Sequence, residues 1–333
     1  MRRKSLTLIL ATATLLVGVF NQAAQAAPPA GPSFTNLTWT LGAIIPTAHN
    51  EAAGSVVGSK YYVISGADKS CSDTGQGTVT TAVDIYDTVT NTFTPGPSVN
   101  IGRNEYPMAA TVGNAVYLIG GTSACFGSTV VQVEKLDLNT NTWSVLSSGS
   151  NLPAPLDGAE HCGTAQGTKI YYFESAGVGV FDTTTGTWTV LGPYPLLSPS
   201  DYCRATTLGS QIVITGPGNG TADFNSQRIL VFDTNTGNVT LLPATTVPLA
   251  EHGAALLFGS VVVAGGDFAL NSVQAISNPT CAACISATST VSTFTSLPTD
   301  TDDGVSGAIG NVFYILGGNA AGNNNPPVLI GTP

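Results

Sequence analysis

The side chains able to do chemistry in this chain are few, and most of them share one register. Counting back seven or eight residues from six recurring glycines (Gly58, Gly113, Gly167, Gly209, Gly259 and Gly310) reaches Asn50-Glu51, Glu105-Tyr106, Ala159-Glu160, Asp201-Tyr202, Glu251-His252 and Asp302-Asp303. Each of the six places supplies at least one carboxylate. All three histidines, His49, His161 and His252, lie in the same segments, as do Arg103 and Arg204. Carboxylates gathered this way repel one another, so some must pair with arginine, bind a cation such as calcium, or keep a proton. Glu160, His161, Glu251 and His252 are the candidates for donating and accepting protons. Glu51, Arg103, Glu105, Asp201, Tyr202, Arg204, Asp302 and Asp303 are the candidates for holding a ligand. The competing reading is that these groups hydrogen-bond neighbouring parts of the fold together.

What positions them is a repeat. Each glycine precedes a strand-forming run: Tyr61-Tyr62-Val63-Ile64, Val116-Tyr117-Leu118-Ile119, Ile170-Tyr171-Tyr172-Phe173, Ile212-Val213-Ile214, Val261-Val262-Val263 and Val312-Phe313-Tyr314-Ile315. The glycines are 55, 54, 42, 50 and 51 residues apart. The runs are apolar at successive positions, as in strands covered on both faces. Further along, Asp87, Asp137, Asp182 and Asp233 each stand six residues before Phe93, Trp143, Trp188 and Val239. That spacing predicts a hairpin in which the aspartate caps the turn amides and the following aromatic wedges between sheets. In the fifth repeat Phe294 takes the aromatic position.

Glycine pairs (Gly120-Gly121, Gly265-Gly266, Gly317-Gly318), the aspartate-turn-aromatic hairpin and the period near fifty together resemble the kelch repeat. The resemblance implies an all-β, six-bladed propeller over residues 27–333. The last blade lacks its outer strand, because the chain stops soon after Val328-Leu329-Ile330, and Thr35-Asn36-Leu37-Thr38-Trp39 looks like that strand. The N-terminal strand is therefore expected to complete blade six and close the ring. In such a meander the acidic segments and the long second-to-third-strand loops share one face around the channel. The galactose oxidase relatives, also propellers, are similar in placing copper ligands at such strand beginnings, which makes His161 and His252 the metal candidates. Glu251, however, replaces the tyrosine expected before the ligand histidine. Periplasmic sialic acid mutarotases are similar six-bladed kelch proteins with acidic and basic groups at the mouth.

The six cysteines suit three disulfides in an oxidising compartment. Cys71 and Cys125 occupy equivalent loops of adjacent blades, Cys162 and Cys203 equivalent channel-side positions, and Cys281 and Cys284 are left as a local pair. Arg2-Arg3-Lys4, the apolar stretch Leu6 to Phe20 and Ala24-Gln25-Ala26 read as a secretory signal peptide over 1–26. Without it seven basic residues face twenty acidic ones, a balance that repels nucleic acid and anionic lipid, and no later apolar run is long enough to span a membrane. The expectation is a secreted or periplasmic recognition module binding a carbohydrate, a cation or a protein partner at the acidic mouth, with no resident cofactor. The alternatives are a mutarotase- or epimerase-like enzyme at the same mouth, and a copper-radical oxidase relative.

Overall fold

The computed structural model describes residues 35–71, 77–154, 156, 161–281 and 284–333. The expected leader over 1–26, together with Glu160, lies outside them. Six four-stranded antiparallel sheets follow one another along the chain. From inside outward, blade one is Ala53–Val57, Lys60–Ile64, Val83–Asp87 and Thr92–Pro95; blade two is Met108–Val112, Ala115–Ile119, Glu134–Asp137 and Thr142–Val145. Blade three is Cys162–Gln166, Lys169–Glu174, Gly177–Asp182 and Thr187–Leu191, and blade four is Arg204–Leu208, Gln211–Thr215, Ile229–Asp233 and Val239–Leu242. Blade five is Gly253–Leu257, Ser260–Ala264, Val273–Ser277 and Thr290–Thr293. Blade six runs Val305–Ile309, Val312–Leu316 and Pro327–Thr332, and its fourth strand is Thr38–Ile44 from the other end of the chain. Thr38 faces Thr332 and Trp39 faces Gly331, so the ring closes as the sequence predicts.

The core is six apolar clusters, each filling the gap between two neighbouring blades. This is why the second strands are apolar at every position: one side chain packs forward and the next packs back. The hairpin aspartates do cap their turns. Asp87 Oδ1 accepts from the amides of Val89 and Thr90, and Asp137, Asp182 and Asp233 repeat the arrangement. The tryptophans wedge between blades and also latch them, each indole N–H donating to a backbone carbonyl of the preceding blade's exit. Trp143 reaches Pro97 O at 2.9 Å, Trp188 reaches Ser150 O at 2.9 Å and Trp39 reaches Thr295 O at 3.1 Å.

Blade five departs from the expected register. Thr290 faces Ser277, so Val291 occupies the wedge position and Phe294 follows the strand. The cause is that twelve residues separate Ser277 from Thr290 where the other blades have a tight aspartate turn, which shifts the spacing on which the Phe294 assignment relied. Three single 3-10 turns connect the strands, and among the described residues no helix is long and apolar enough to cross a membrane. Disulfides join Cys71 to Cys125, Cys162 to Cys203 and Cys281 to Cys284, the expected pairs, and are compatible with an oxidising compartment.

Candidate functional site

The segments leading into the innermost strands pair with the second-to-third-strand loops through single bridges, Asn50 with Ala67, Asn104 with Thr122, Asp201 with Gly218 and Asp302 with Asn319. In blade five the amide of Asp267 donates to Ala250 O. The two groups of loops thus share one face. The residue after each of these positions is left-handed: Glu51, Glu105, Tyr202, Glu251 and Asp303 have φ between 53 and 59°. Glycine adopts that conformation freely, whereas other residues pay about 1–2 kcal/mol. Acids or a tyrosine stand there because the side chain is used.

Their use is largely internal. Glu51 is 2 % exposed, and its Oε1 accepts from the Ser70 hydroxyl at 3.1 Å and the Cys71 amide at 2.7 Å. Glu105 accepts from the amide of Phe126. Glu251 is hydrogen-bonded to Asp267 and Asp303, and Tyr106 donates its hydroxyl to Asp303. The backbone joins in, with the Tyr106 amide donating to Glu51 O and the Glu51 amide to Asp303 O, both at 3.2 Å, so blades two, one and six are tied together beneath the mouth.

Burial governs the electrostatics. Desolvation raises Glu251 well above the ordinary carboxyl range, with Asp303 and Asp267 adding repulsion. Asp303 is raised by burial too, against the pull of the Tyr106 and Glu251 hydrogen bonds. Both shifts have the same first cause, two carboxyl groups buried side by side. Glu51 is pushed up to about 7, first by burial and then by Asp303. A carboxyl whose pKa is raised on folding stabilises the fold fully below its unfolded value, and that contribution disappears as pH climbs through the folded one. Between pH 4.5 and about 8, Glu51 should cost the wild type on the order of 3 kcal/mol, a loss that Glu51→Gln removes. Urea melts at pH 5 and pH 8 check this; parallel losses in both proteins would refute it.

Next to the cluster, along the inner strands, runs an axial channel of about 350 Å³, whose wall includes Ser55, Tyr61, Thr111, His161, Thr164 and Arg204. Hydroxyls bridge its inner strands: Ser55 Oγ lies 2.7 Å from Thr111 Oγ1, and Thr164 Oγ1 lies 3.1 Å from Thr207 Oγ1. Arg204 stacks over the Tyr106 ring at 5.0 Å and donates to Cys203 O. Burial lowers its pKa, opposed by the negative field of Glu251 and Asp303. His161 sits on the wall with Nε2 2.9 Å from Glu174 and Nδ1 3.8 Å from Asp201, whose own pKa burial raises. Tyr202 packs edge-on against Tyr106.

Two expected members of the site point elsewhere. Arg103 is fully buried inside blade two, 2.8 Å from Glu134 Oε1, and also donates to Gly120 O and Gln132 O. His252 is fully buried beside the Thr215 hydroxyl at 2.8 Å, and desolvation, then Arg204, holds it neutral. His161 and His252 thus have separate surroundings, Cys203 is in a disulfide, and among the described residues no three His, Cys, Asp or Glu groups converge as a metal site. Sequence reading missed Glu134 and its counterpart Asp84, which accepts from the Thr47 amide and His49 Nε2. Their signal is present: an acid three residues before the hairpin aspartates Asp87 and Asp137, inside an apolar strand.

The kelch motif family matches residues 109–150, most of blade two. The chain is 30 % identical to the Kelch-like protein terF of Aspergillus terreus over 254 residues, 69 % of this chain and 52 % of that protein. It is 24 % identical to the F-box/kelch-repeat protein At2g22050 of Arabidopsis thaliana over 137 residues, 41 % of this chain and 48 % of that one. It thus spans about half the length of the curated relatives it matches. The solved structure of YjhT superposes with a TM-score of 0.67 at 16 % identity, over 88 % of this chain and 96 % of that one, a likeness of fold. A kelch motif, kelch-named relatives and six radial blades closed by an N-terminal strand make this chain a six-bladed β-propeller of the kelch-repeat type.

Proposed function

We propose that this chain is an exported recognition module that docks a protein partner on its channel-mouth face. The observation that carries this reading is the display of Phe126, Phe224 and Leu270, which are 71, 61 and 45 % exposed. All three lie in second-to-third-strand loops of one face, from blades two, four and five. Phe126 and Leu270 are held left-handed, at φ 52 and 44°, where a bulky side chain is rare and persists only if its surroundings enforce it. For Phe126 the enforcement is visible: buried Glu105 grips its amide. Exposed aromatic anchors on a rigid scaffold suit an interface centre. The acidic surface adds a preference for a partner with basic groups at the rim. Immobilised protein should capture a partner from the extracellular fraction of its source, and the double variant Phe126→Ala/Phe224→Ala should lose at least tenfold of that capture at unchanged Tm. Undiminished capture would count against the reading.

A second reading rests on Arg204, which lines the channel within the field of the buried carboxyls Glu251 and Asp303. A channel so furnished suits a small sugar, with one group to donate and one to accept a proton during ring opening. Arg204→Ala would then abolish glycan binding or sugar interconversion while leaving partner capture intact.

A further inference from the structure

The six outer strands are not alike. Thr92–Pro95, Thr142–Val145, Thr187–Leu191, Val239–Leu242 and Thr290–Thr293 have four or five residues, whereas Thr38–Ile44 of blade six has seven. Two residues beyond the wedge, Val145, Val190 and Leu241 are 43, 43 and 41 % exposed in blades two, three and four. At the same place in blade six Leu41 is 59 % exposed, and Ile44, further along the strand, is 67 % exposed. The strand ends its sheet, and among the described residues no other strand pairs with its outer edge.

Charge sets this strand apart further. The strands of blades two, three and four carry Lys135 and Asp137, Lys169 and Asp182, and Asp233. No charged residue stands between Asp267 and Asp300, after Asp303, or from Thr35 to Ala48. Those stretches supply the outer half of blade five and all of blade six, while Asp267, Asp302 and Asp303 belong to the mouth. The chain carries a net charge of −10, so two copies repel in most orientations. Across this neutral sector they can approach without like charges meeting.

We infer that two copies of this chain associate through the outer strand of blade six, edge to edge about a two-fold axis. An antiparallel pair of identical strands is self-complementary, because each edge offers the N–H and C=O groups that the other needs and the same residues serve on both sides. Pairing runs over Thr38 to Leu41, since beyond it the register breaks and Asn91 Oδ1 already accepts the Ala43 amide at 2.8 Å. Leu41 and Ile44 of both copies then flank the joined edges and are withdrawn from water. A partner with basic groups is drawn instead to the acidic mouth, which this contact leaves free. What suits the neutral edge is the neutral edge of another copy.

Sedimentation velocity of the mature chain over a concentration range of about 1–300 µM tests this. A reversible dimer with a Kd of about 10–100 µM is expected, the strength of a small contact. The double variant Leu41→Asp/Ile44→Asp brings four carboxylates together where the copies meet, and should weaken the dimer at least tenfold at unchanged Tm. Val190→Asp, at the place of Leu41 in blade three, should leave the dimer as it is. If the double variant melts early, Ile44→Asp alone replaces it, with an expected weakening of at least threefold. A monomer at every concentration, a dimer as tight in the folded charged variant as in the wild type, or an equal loss from Val190→Asp would overturn the proposal.

Discussion

Arg103→Ala will lower the stability of this protein by about 3–5 kcal/mol, because it strands the Glu134 carboxylate in a place with no water. Both side chains are fully buried, and Glu134 also accepts the amides of Asn100 and Ile101 and the side chain of Asn100. The guanidinium is the only cation within reach of this carboxylate among the described residues. The loss therefore comes from an uncompensated charge more than from a missing contact. Making the pair neutral together, Arg103→Met with Glu134→Gln, should recover a large part of it. Equilibrium urea unfolding of the single and double variants decides; additive losses in the double variant would contradict this account.

The second large effect is at the seam. Trp39 packs against Phe313 at 5.8 Å, donates its indole N–H to Thr295 O and lies opposite Gly331, where a Cβ would come within 2.9 Å of its ring. Trp39→Ala should cost about 3–5 kcal/mol. Gly331→Ala should also destabilise, since it pushes the same ring out of its seat. Trp39→Phe, which keeps most of the apolar contact and loses only the latch, should cost far less, about 1 kcal/mol plus any packing loss. Thermal melts of the three variants test the ordering Trp39→Ala above Trp39→Phe, and equal losses would show that the indole is not packed as described.

Much of the fold was legible because its signals are local. A glycine ahead of an apolar run and an aspartate six residues before a wedge are each contained in a few residues, and six copies of the first and four of the second confirm one another. The closing strand was legible for the same reason, as a copy displaced to the other end of the chain. The site was less so. Arg103 and Glu105 are two residues apart in sequence, yet one points into the blade and the other toward a loop at the mouth. What separates them is a partner on the third strand, Glu134, and no spacing rule announces that pairing. Phe294 failed as a wedge because an insertion breaks the register on which counting depends. The described mouth carboxylates lie on one face, but whether they meet solvent or loop amides is decided by packing. Glu51 and Glu251 show the outcome: buried and bonded inward.

The seam between the first and last strands has a consequence for how the molecule is made. Thr332 bonds to Thr38 across 294 residues of sequence, so the first strand has no partner in its sheet until the last one has been synthesised. A ribosome must extend the chain through Thr332 before the final blade can form, which favours late completion of the ring over assembly from the front. A nonsense mutation even a few codons before Val328 would leave the strand Val312–Leu316 without its outer neighbour, an adhesive edge inviting association between defective copies.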